Sequence, residues 1–268
     1  MFSKESILKQ LCAMHAPKDK PVIVHISLKA VGQVENMAQG LLDAFIEYFT
    51  ADGGLLIVPT HTWANFDQKK QVVLDMCDNS TCVGVFPTVA LNDGRGVRTD
   101  NPTHSVVVFG DKQRVKEFIK GDCLTNTPTS PNGVYGKIFE QDGYILLVGV
   151  GQEKNTCIHC VDEMLNLPSR LSLKPTFMKV RRLDGTVKER EFYYMISDII
   201  YDVSLFFPKY QPAFDYHGVV VHGSIGGAKT QLCSAKKMKN VITKIYNRSN
   251  GIEIMADDTP LKKEWYID

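Results

Sequence analysis

The sequence lacks the features of a membrane, secreted or nucleic-acid-binding protein. No apolar run approaches the roughly 20 residues that a membrane-spanning helix needs. The first six residues, Met1 to Ser6, include an acidic side chain and no continuous apolar core, unlike a signal peptide. Lys and Arg number 31 against 30 Asp and Glu, so no net charge favours nucleic acid or an anionic membrane. We therefore expect a cytoplasmic protein that binds neither.

A disulfide framework is also absent. The seven cysteines are odd in number and irregularly spaced, which favours reduced thiols. Cys157 and Cys160 form a C-x-x-C pair around His159, and Cys77 and Cys82 could add two thiolates, so a structural zinc site or a redox dithiol stays an alternative. Because the second pair is loosely spaced, we expect most of these thiols to act as small buried hydrophobes, and no metal.

Neither of the common nucleotide-binding motifs occurs. The sequence contains no G-x-G-x-x-G and no G-x-x-x-x-G-K-[ST], which excludes a dinucleotide fingerprint and a nucleotide P-loop. The turn Lys29 to Gly32, which lies between a strand and a helix, is still a natural anion site, because unpaired backbone N–H groups and the helix dipole converge there. An ordinary crossover loop is the alternative interpretation of this turn.

The periodicity indicates an α/β protein. The 268 residues are 44% hydrophobic, which suffices for a large core. Residues 21–59 read as a strand, a turn, a helix at 37–49 and a second strand, which is a parallel βαβ unit. An Asp-Gly turn at 184–185 predicts an antiparallel hairpin in the C-terminal third. We predict one domain over 1–268, with a mixed, largely parallel central sheet flanked by helices and elaborated by this hairpin.

Further elements follow from the same patterns. Four more helices are predicted at Ser3–His15, Val83–Leu91, Asp111–Lys120 and Val134–Gln141, and strands at Val106–Phe109 and Gly218–His222. Residues 67–81 show no periodicity and are predicted to form a loop. A helix is predicted from about Lys229 to Tyr246.

The stretch 143–163 combines a predicted buried strand with side chains that could take part in catalysis. Six largely apolar residues bounded by glycines predict a buried strand, and Asn155 or Thr156 can cap the helix that follows. His159 and Asp162 lie three residues apart and so share one face of that helix. A carboxylate there can fix the imidazole tautomer and stabilise its protonated form, as a general base requires. A purely structural His near a helix start is the alternative.

Several segments in this order resemble the aminoglycoside 3-N-acetyltransferases, also called antibiotic N-acetyltransferases. The resemblance covers most of the chain, from Val22 to about Lys236. It is carried by VHISLKAVG (24–32), LIVPT (56–60), VGVFP (83–87), VRTDNPTHS (97–105), DGYILLVGVG (142–151), NTCIH (155–159) and GSIGGA (223–228). No single segment is specific, but their joint order is.

The resemblance implies acetyl transfer from acetyl-coenzyme A to the 3-amino group of an aminoglycoside antibiotic, without a metal. It makes His159 the base and Asp162 its acidic partner, although Asp replaces the usual Glu and Glu163 follows, so either acid is a candidate. The Thr156 hydroxyl is a candidate donor to the developing oxyanion. Coenzyme A is expected to contact the turn and a second segment, namely Ser27, Leu28, Lys29, Ala30, Val31, Gly32, His104 and Ser105. For His104, a purely structural role is the alternative interpretation.

Three departures from the family pattern bear on the acceptor. Asn101 stands where many members have His, Thr88 where many have Glu, and Asn36 where many have Gly. They leave two alternatives to aminoglycoside acetylation: an acyltransferase of the same fold that acts on another small amine, and a coenzyme A-binding homologue with a disabled site. A homodimer is compatible with either.

Overall fold

The strands form one large sheet and one small one. The computed structural model describes residues 1–196, 202–251 and 259–268. Its strands are Pro21–Ile26 (β1), Leu55–Pro59 (β2), Leu74–Asp75 (β3), Val97–Arg98 (β4), Val106–Phe109 (β5), Tyr144–Val148 (β6), Thr176–Arg181 (β7), Val187–Phe192 (β8), Val220–Ile225 (β9) and Ala228–Ser234 (β10). The large sheet has the order β4-β5-β2-β1-β6-β10-β9, and the small sheet has the order β3-β7-β8.

The centre of the large sheet is parallel and its borders are antiparallel. β1 pairs in parallel with β2 and with β6, whereas β5 on one side and β10 on the other run antiparallel to their neighbours. The mixed α/β fold is thus confirmed, and its parallel part is the three central strands. Their carboxyl ends meet at one edge, where open α/β sheets place ligand sites.

Helices cover both faces of the large sheet. They are Lys4–Ala13 (α1), Leu28–Val31 (α2), Met37–Thr50 (α3), Trp63–Asp67 (α4), Val85–Asn92 (α5), Lys112–Ile119 (α6), Val134–Glu140 (α7), Thr156–Met164 (α8), Gln211–Tyr216 (α9) and Ala235–Arg248 (α10). Turns of 3-10 helix occupy Asp122–Leu124, Gln152–Lys154, Val203–Tyr210 and Lys263–Trp265.

Two apolar clusters lie on opposite faces of the sheet. Alternate residues of β1 separate into them: Ile23 joins the cluster that contains α7, α8 and α10, and Val24 joins the one that contains α1 and α3. Because a central strand is buried on both faces, its residues are apolar without alternation, as the run 144–148 showed in the sequence.

The small sheet contains the predicted hairpin. β7 and β8 pair from Thr176↔Phe192 to Arg181↔Val187 around the Asp-Gly turn, which confirms the hairpin. Met178, Phe192 and Val73 form its own small apolar cluster. Arg190 of β8 connects the hairpin to the body, since it donates to the Asp100 carbonyl at 2.9 Å and to the Thr125 carbonyl.

One local prediction was wrong, and another was incomplete. The helix expected from Lys229 begins at Ala235, because residues 228–234 instead form β10, which pairs on both sides with β6 and β9. The predicted loop 67–81 contributes the two-residue strand β3, which pairs in parallel with β7 at Leu74↔Val180. Both strands depend on partners distant in sequence.

In the part of the chain that the structure describes, no helix is both long and apolar enough to cross a bilayer.

Candidate active site

A cavity of about 710 Å³ opens at the carboxyl ends of the three parallel strands. β1 contributes His25 to its wall, the segment after β2 contributes His61, and the segment after β6 contributes Asn155, Thr156 and His159. The fold therefore gathers polar side chains from three distant parts of the sequence at the edge where the topology predicts a ligand.

His159 lies in the first turns of α8, which begins directly at the cavity. Its Nδ1 lies 3.8 Å from Asp162 Oδ2, an ion-pair distance rather than a hydrogen bond. Arg170 Nε donates to the same carboxylate oxygen at 3.3 Å. The ring of Phe207 packs edge-on against the imidazole, with centroids 4.8 Å apart. Asp162 is almost fully buried, so its contacts with these two side chains hold it in place.

Glu163, the second candidate acid, is used elsewhere. Its Oε1 accepts from the Thr129 backbone N–H at 2.9 Å and hydroxyl at 2.7 Å, and its Oε2 accepts from the Thr127 hydroxyl at 2.5 Å. Burial raises the pKa of Glu163, which these donors partly offset. Glu163 thus attaches α8 to the loop 125–133, and the carboxylate beside His159 is that of Asp162.

Three further histidines surround the cavity, and burial keeps them neutral. Burial lowers the pKa of His25 and of His104 to about 3, and it lowers the pKa of His61 well below its ordinary value, with smaller effects from the other imidazoles. The rings of His61 and His104 are 4.4 Å apart. His61 Nε2 lies 3.0 Å from the Tyr135 hydroxyl. These three imidazoles of the lining are therefore uncharged at neutral pH.

The turn expected to hold coenzyme A lies beside a second cavity. Ser27 caps α2 by accepting from the Ala30 N–H at 3.4 Å, and the Ser27 carbonyl accepts from Val31 N–H at 3.2 Å. Ala30 lines the second cavity together with Gly149 and Gly151. Both cavities share Val150 and Glu153, so a long ligand can extend from this turn to His159. A Cβ on Gly149 would lie 2.3 Å from Ala30 Cβ, so Gly is required there.

The segment 101–105 divides between the cavity and the interior. His104 lines the cavity. Ser105 is fully buried, donates to the Thr60 carbonyl at 2.8 Å and accepts from Arg98 at 3.3 Å. Asn101 accepts from the His104 N–H at 2.9 Å and donates to the Thr127 carbonyl at 3.1 Å. Asn101 thus supports this loop from behind rather than facing a ligand.

The other two departures also have local explanations. Asn36 has a φ of 56°, in the left-handed region that Asn tolerates better than most residues and that Gly adopts without strain. Thr88 is partly buried on α5, and its hydroxyl donates to the Gly84 carbonyl at 3.0 Å.

The cysteines do not converge. Cys157 and Cys160 are buried in the apolar cluster, and burial raises the pKa of both thiols. Cys77 and Cys82 are exposed, and Cys82 lines the cavity. Within the described ranges no group of three or more His, Cys, Asp and Glu side chains is arranged to hold a metal ion.

The outer wall of the cavity is aromatic and nearly balanced in charge. Trp63 and Phe66 of α4 line it together with Tyr194 and Phe207, and the rings of Phe66 and Tyr194 are in contact, with centroids 5.1 Å apart. The charged side chains of the described lining are Asp67, Glu153 and Asp202 against Lys154 and Arg170.

Sequence reasoning placed His61 in a loop of the kind that binds ligands in open α/β sheets, without giving it an individual role, and assigned no role to His25 or Arg170. The available signal was position: His25 ends β1 and His61 follows β2, and polar residues at the carboxyl ends of parallel strands are site candidates. Arg170 carried no such signal, because only the turn after α8 brings it back to Asp162.

The sequence profile of the aminoglycoside 3-N-acetyltransferase family matches residues 23–247. The chain is 27% identical over 169 residues to aminoglycoside N(3)-acetyltransferase IV from Salmonella sp., a match that spans 62% of this chain and 61% of that enzyme. It is 23% identical over 273 residues to the SPbeta prophage-derived aminoglycoside N(3')-acetyltransferase-like protein YokD of Bacillus subtilis strain 168, covering 94% of this chain and 95% of YokD.

Solved structures share the fold. A mutant of aminoglycoside acetyltransferase AAC(3)-IVa in complex with a gentamicin superimposes with a TM-score of 0.77 at 19% identity, covering 95% of this chain and 92% of that chain. AAC-IIIb in its binary complex with CoASH gives a TM-score of 0.74 at 17% identity, with 89% and 93% covered. Since the sequence profile matches most of its length, the chain belongs to the aminoglycoside 3-N-acetyltransferase family.

Proposed function

We propose that this protein is an N-acetyltransferase that uses acetyl-coenzyme A as co-substrate and the 3-amino group of an aminoglycoside as acceptor. The observation that carries the proposal is a cavity at the carboxyl ends of the parallel strands, in which His159 lies beside a buried carboxylate. Relatives named for this reaction, and a related fold in complex with CoASH, support the choice of co-substrate.

His159 is the proposed general base. An amine is mostly protonated near pH 7 and cannot attack a thioester until a base removes its proton. Asp162 stabilises the imidazolium that forms, and its position is maintained by Arg170. The amine nitrogen then bonds to the thioester carbon, the carbonyl oxygen takes up negative charge, and the C–S bond breaks as the tetrahedral intermediate collapses. The thiolate leaves and accepts the proton from His159, and the second proton of the original ammonium passes to solvent, so that the amide product is neutral.

Thr156 is the proposed donor to the oxyanion. It lines the same cavity as His159, one turn earlier on α8, and both its hydroxyl and the start of α8 favour negative charge there. No metal is part of this mechanism.

The turn Ser27 to Gly32 is the proposed binding site for the coenzyme A pyrophosphate. Within the described chain, the backbone N–H groups of Ala30 and Val31 donate to the Ser27 carbonyl, and that of Gly32 donates to the Leu28 carbonyl. The backbone N–H groups of Leu28 and Lys29 therefore remain available to donate to an anion. From there the pantetheine arm would follow the second cavity to His159, past His104. Ser105 supports this wall from the interior.

The balance of charge on the cavity wall favours a second candidate acceptor. Polycationic aminoglycosides call for an excess of carboxylates, yet two cations offset three acids among the described lining residues. A small amine with fewer charges and an apolar part fits Trp63 and Phe66 at least as well. A homologue that binds coenzyme A without turnover is the third possibility.

Release of free thiol from acetyl-coenzyme A, with gentamicin, apramycin and simple diamines as acceptors, tests this choice. Aminoglycoside-dependent release, with the acetyl group located on the 3-amine by mass spectrometry and NMR, is the expected result. Release with diamines alone would support the second acceptor class. Coenzyme A binding without release under any condition would contradict the proposed reaction.

The variant His159→Ala tests the base. We expect turnover to fall by roughly 10²-fold or more while the Kd for coenzyme A stays nearly constant, because only proton transfer is removed. The exposed histidine variant His15→Asn is the control. Equal turnover in His159→Ala and wild type would exclude the base assignment.

We also propose that residues 1–268 act as one acetyltransferase domain in the cytoplasm, as a monomer or homodimer. Limited proteolysis tests the single domain, light scattering of the purified protein tests the oligomeric state, and fractionation of cells that contain the protein tests its location.

A further inference from the structure

Two polar atoms in the cavity wall have no hydrogen-bond partner among the described residues. They are His25 Nε2 and Asn155 Oδ1, and both atoms are buried. The orientation of the Asn155 amide is fixed, since its Nδ2 donates at 2.8 Å to Gln152 Oε1, and Gln152 Nε2 donates in turn to Gln231 at 2.9 Å. Buried polar groups are normally paired, so an unpaired donor and acceptor in one cavity indicate a ligand that pairs them.

His25 differs from the other cavity histidines in this respect. His61 Nε2 bonds to Tyr135, His104 Nδ1 lies 2.9 Å from the Thr103 hydroxyl, and His159 Nδ1 faces Asp162. These contacts account for the presence of an imidazole at each of the three positions. Nothing in the described part of the free protein similarly explains why an imidazole, rather than an apolar side chain, lies near the end of β1.

The position of His25 in the sheet places it between the two proposed ligand contacts. His25 is aligned with Leu147 of the neighbouring parallel strand β6, the strand that leads into α8. It shares its face of the sheet with Ile23, whose apolar cluster includes Ile158 of α8. The turn that starts at Ser27 follows two residues later. A thioester that extends from this turn toward His159 therefore passes His25.

The charge state of His25 suits a donor rather than a base. Burial lowers its pKa to about 3, so the ring is neutral at pH 7 and carries one N–H. A fixed N–H in a dry site stabilises a charge that develops during the reaction far more than it stabilises a neutral ground state.

We propose that His25 is a further catalytic residue, whose Nε2–H donates a hydrogen bond to the thioester carbonyl oxygen as that oxygen becomes the oxyanion. The inference rests on the proposed acetyl transfer. When the amine nitrogen bonds to the carbonyl carbon, the carbonyl electron pair moves to oxygen, where His25 and Thr156 donate to it. His159 holds the amine proton throughout. When the C–S bond breaks the pair returns, so His25 neither gains nor loses a proton.

Asn155 complements this donor. Its free Oδ1 can accept the N–H that remains on the attacking nitrogen, so the two unpaired atoms together match the oxygen and the nitrogen of the tetrahedral species.

Two variants of His25 separate catalysis from folding and from binding. His25→Leu removes the donor, and because the free protein loses no hydrogen bond from Nε2, we expect a Tm at least equal to that of wild type. Its kcat should fall by about 10²- to 10³-fold with the Kd for coenzyme A unchanged. His25→Gln, whose amide N–H lies near the position of Nε2, should give a kcat between those of His25→Leu and wild type.

Three outcomes would overturn the inference. One is a His25→Leu variant with wild-type kcat. Another is a loss confined to the Kd for coenzyme A, which would assign the imidazole to the pantetheine amides instead. The third is a His25→Gln variant as slow as His25→Leu. A wild-type protein that releases no thiol would contradict the proposed function itself, and this inference with it.

Discussion

Two adjacent acids on α8 have different surroundings and, we infer, different tasks. Asp162 contacts His159 and Arg170, so its charge acts on the cavity. Glu163 instead accepts three hydrogen bonds from Thr127 and Thr129. A rotation of about 100° per residue along the helix is sufficient to separate a carboxylate that acts on a base from one that fixes a loop.

The pair of variants Asp162→Asn and Glu163→Gln tests this division. We expect Asp162→Asn to lose part of the roughly 10²- to 10⁴-fold that a positioned base contributes, because a neutral amide does not stabilise the imidazolium. Glu163→Gln should retain turnover and lose about 1–3 kcal/mol of stability, because its new amide nitrogen cannot accept from the Thr127 hydroxyl.

Turnover in the thiol-release assay and unfolding by urea, measured on the same preparations, decide the question. Each variant serves as the control for the other, because the two residues are neighbours on one helix. A Glu163→Gln variant that is stable but slow would assign the acid partner of His159 to Glu163.

The sequence predicted that His159 and Asp162 lie next to each other, but not which other residues join them in the cavity. Helical spacing brings His159 and Asp162 together without reference to the rest of the chain, so periodicity alone predicted their contact. Arg170 and His25 reach the same cavity through a turn and through strand pairing. Their roles depend on distances that only the tertiary structure defines, which is why sequence reasoning missed them.

At the scale of elements, the small sheet forms part of the cavity wall. β8 leads into Tyr194 and Met195, which line the cavity. The sheet has a core of few residues, so its position depends on polar contacts with the body. The strongest of these is Arg190, which contacts Asp100 and the carbonyls of Thr125 and Asp122.

Replacing Arg190 should therefore loosen this wall. Arg190→Met removes one of the two arginine ion pairs of Asp100, so that Arg182 remains, and it removes the donor to the carbonyls of Asp100, Asp122 and Thr125. We therefore expect a loss of about 2–3 kcal/mol in the free energy of unfolding. Arg181→Met on β7 is the matched control, because its ion pair with Asp75 is more exposed than that of Arg190 with Asp100 and should contribute less than about 1 kcal/mol.

Hydrogen exchange across β7 and β8, together with the KM for the acceptor amine, measures the effect. Faster exchange confined to these strands and a higher KM in Arg190→Met are the expected results. Equal exchange in both variants would show that the apolar cluster alone holds the small sheet.

The elements also show where sequence reasoning ends. The helices with their own caps were predicted within a few residues: Ser3 caps α1 and Asp111 caps α6, as local patterns indicate. Residues 228–234 contain Ala, Lys, Gln and Leu, which favour helix, and most of them were predicted to be helical. Hydrogen bonds from β6 and β9 on both sides override that preference.

At the scale of the whole molecule, folding concentrates three neutral imidazoles around one cavity. In the unfolded chain each histidine has a pKa near 6.5, whereas burial lowers the pKa of His25 and His104 to about 3 and that of His61 well below its ordinary value. Between these values the unfolded state binds more protons than the folded state. The histidines therefore stabilise the fold above about pH 6.5 and cease to do so as the pH falls.

Buried carboxyl groups act in the opposite direction. Burial raises the pKa of Asp122 and of Glu163. At pH values just above the ordinary pKa of a carboxyl group, these two groups are therefore protonated in the folded state and ionised in the unfolded state. Their contribution rises as the pH falls through their folded pKa, and it partly offsets that of the histidines. Unfolding in this pH range is consequently accompanied by a net uptake of fewer than three protons, and the slope of the free energy of unfolding against pH is correspondingly smaller.

Removing one imidazole isolates its share of this slope. His104→Asn keeps an amide near Thr103 and removes one titrating group, so the slope of unfolding free energy against pH between about 5 and 6 should fall by about one proton, or about 1.4 kcal/mol per pH unit. Urea unfolding at a series of pH values measures it, with His15→Asn, which is exposed, as the control. If both variants keep the wild-type slope, the unfolded chain binds no extra proton at His104, and the cavity is open enough to solvent for this imidazole to be protonated in the folded protein. Such a cavity would also admit the water that a thioester site has to exclude, so this measurement bears on the chemistry as much as on the stability.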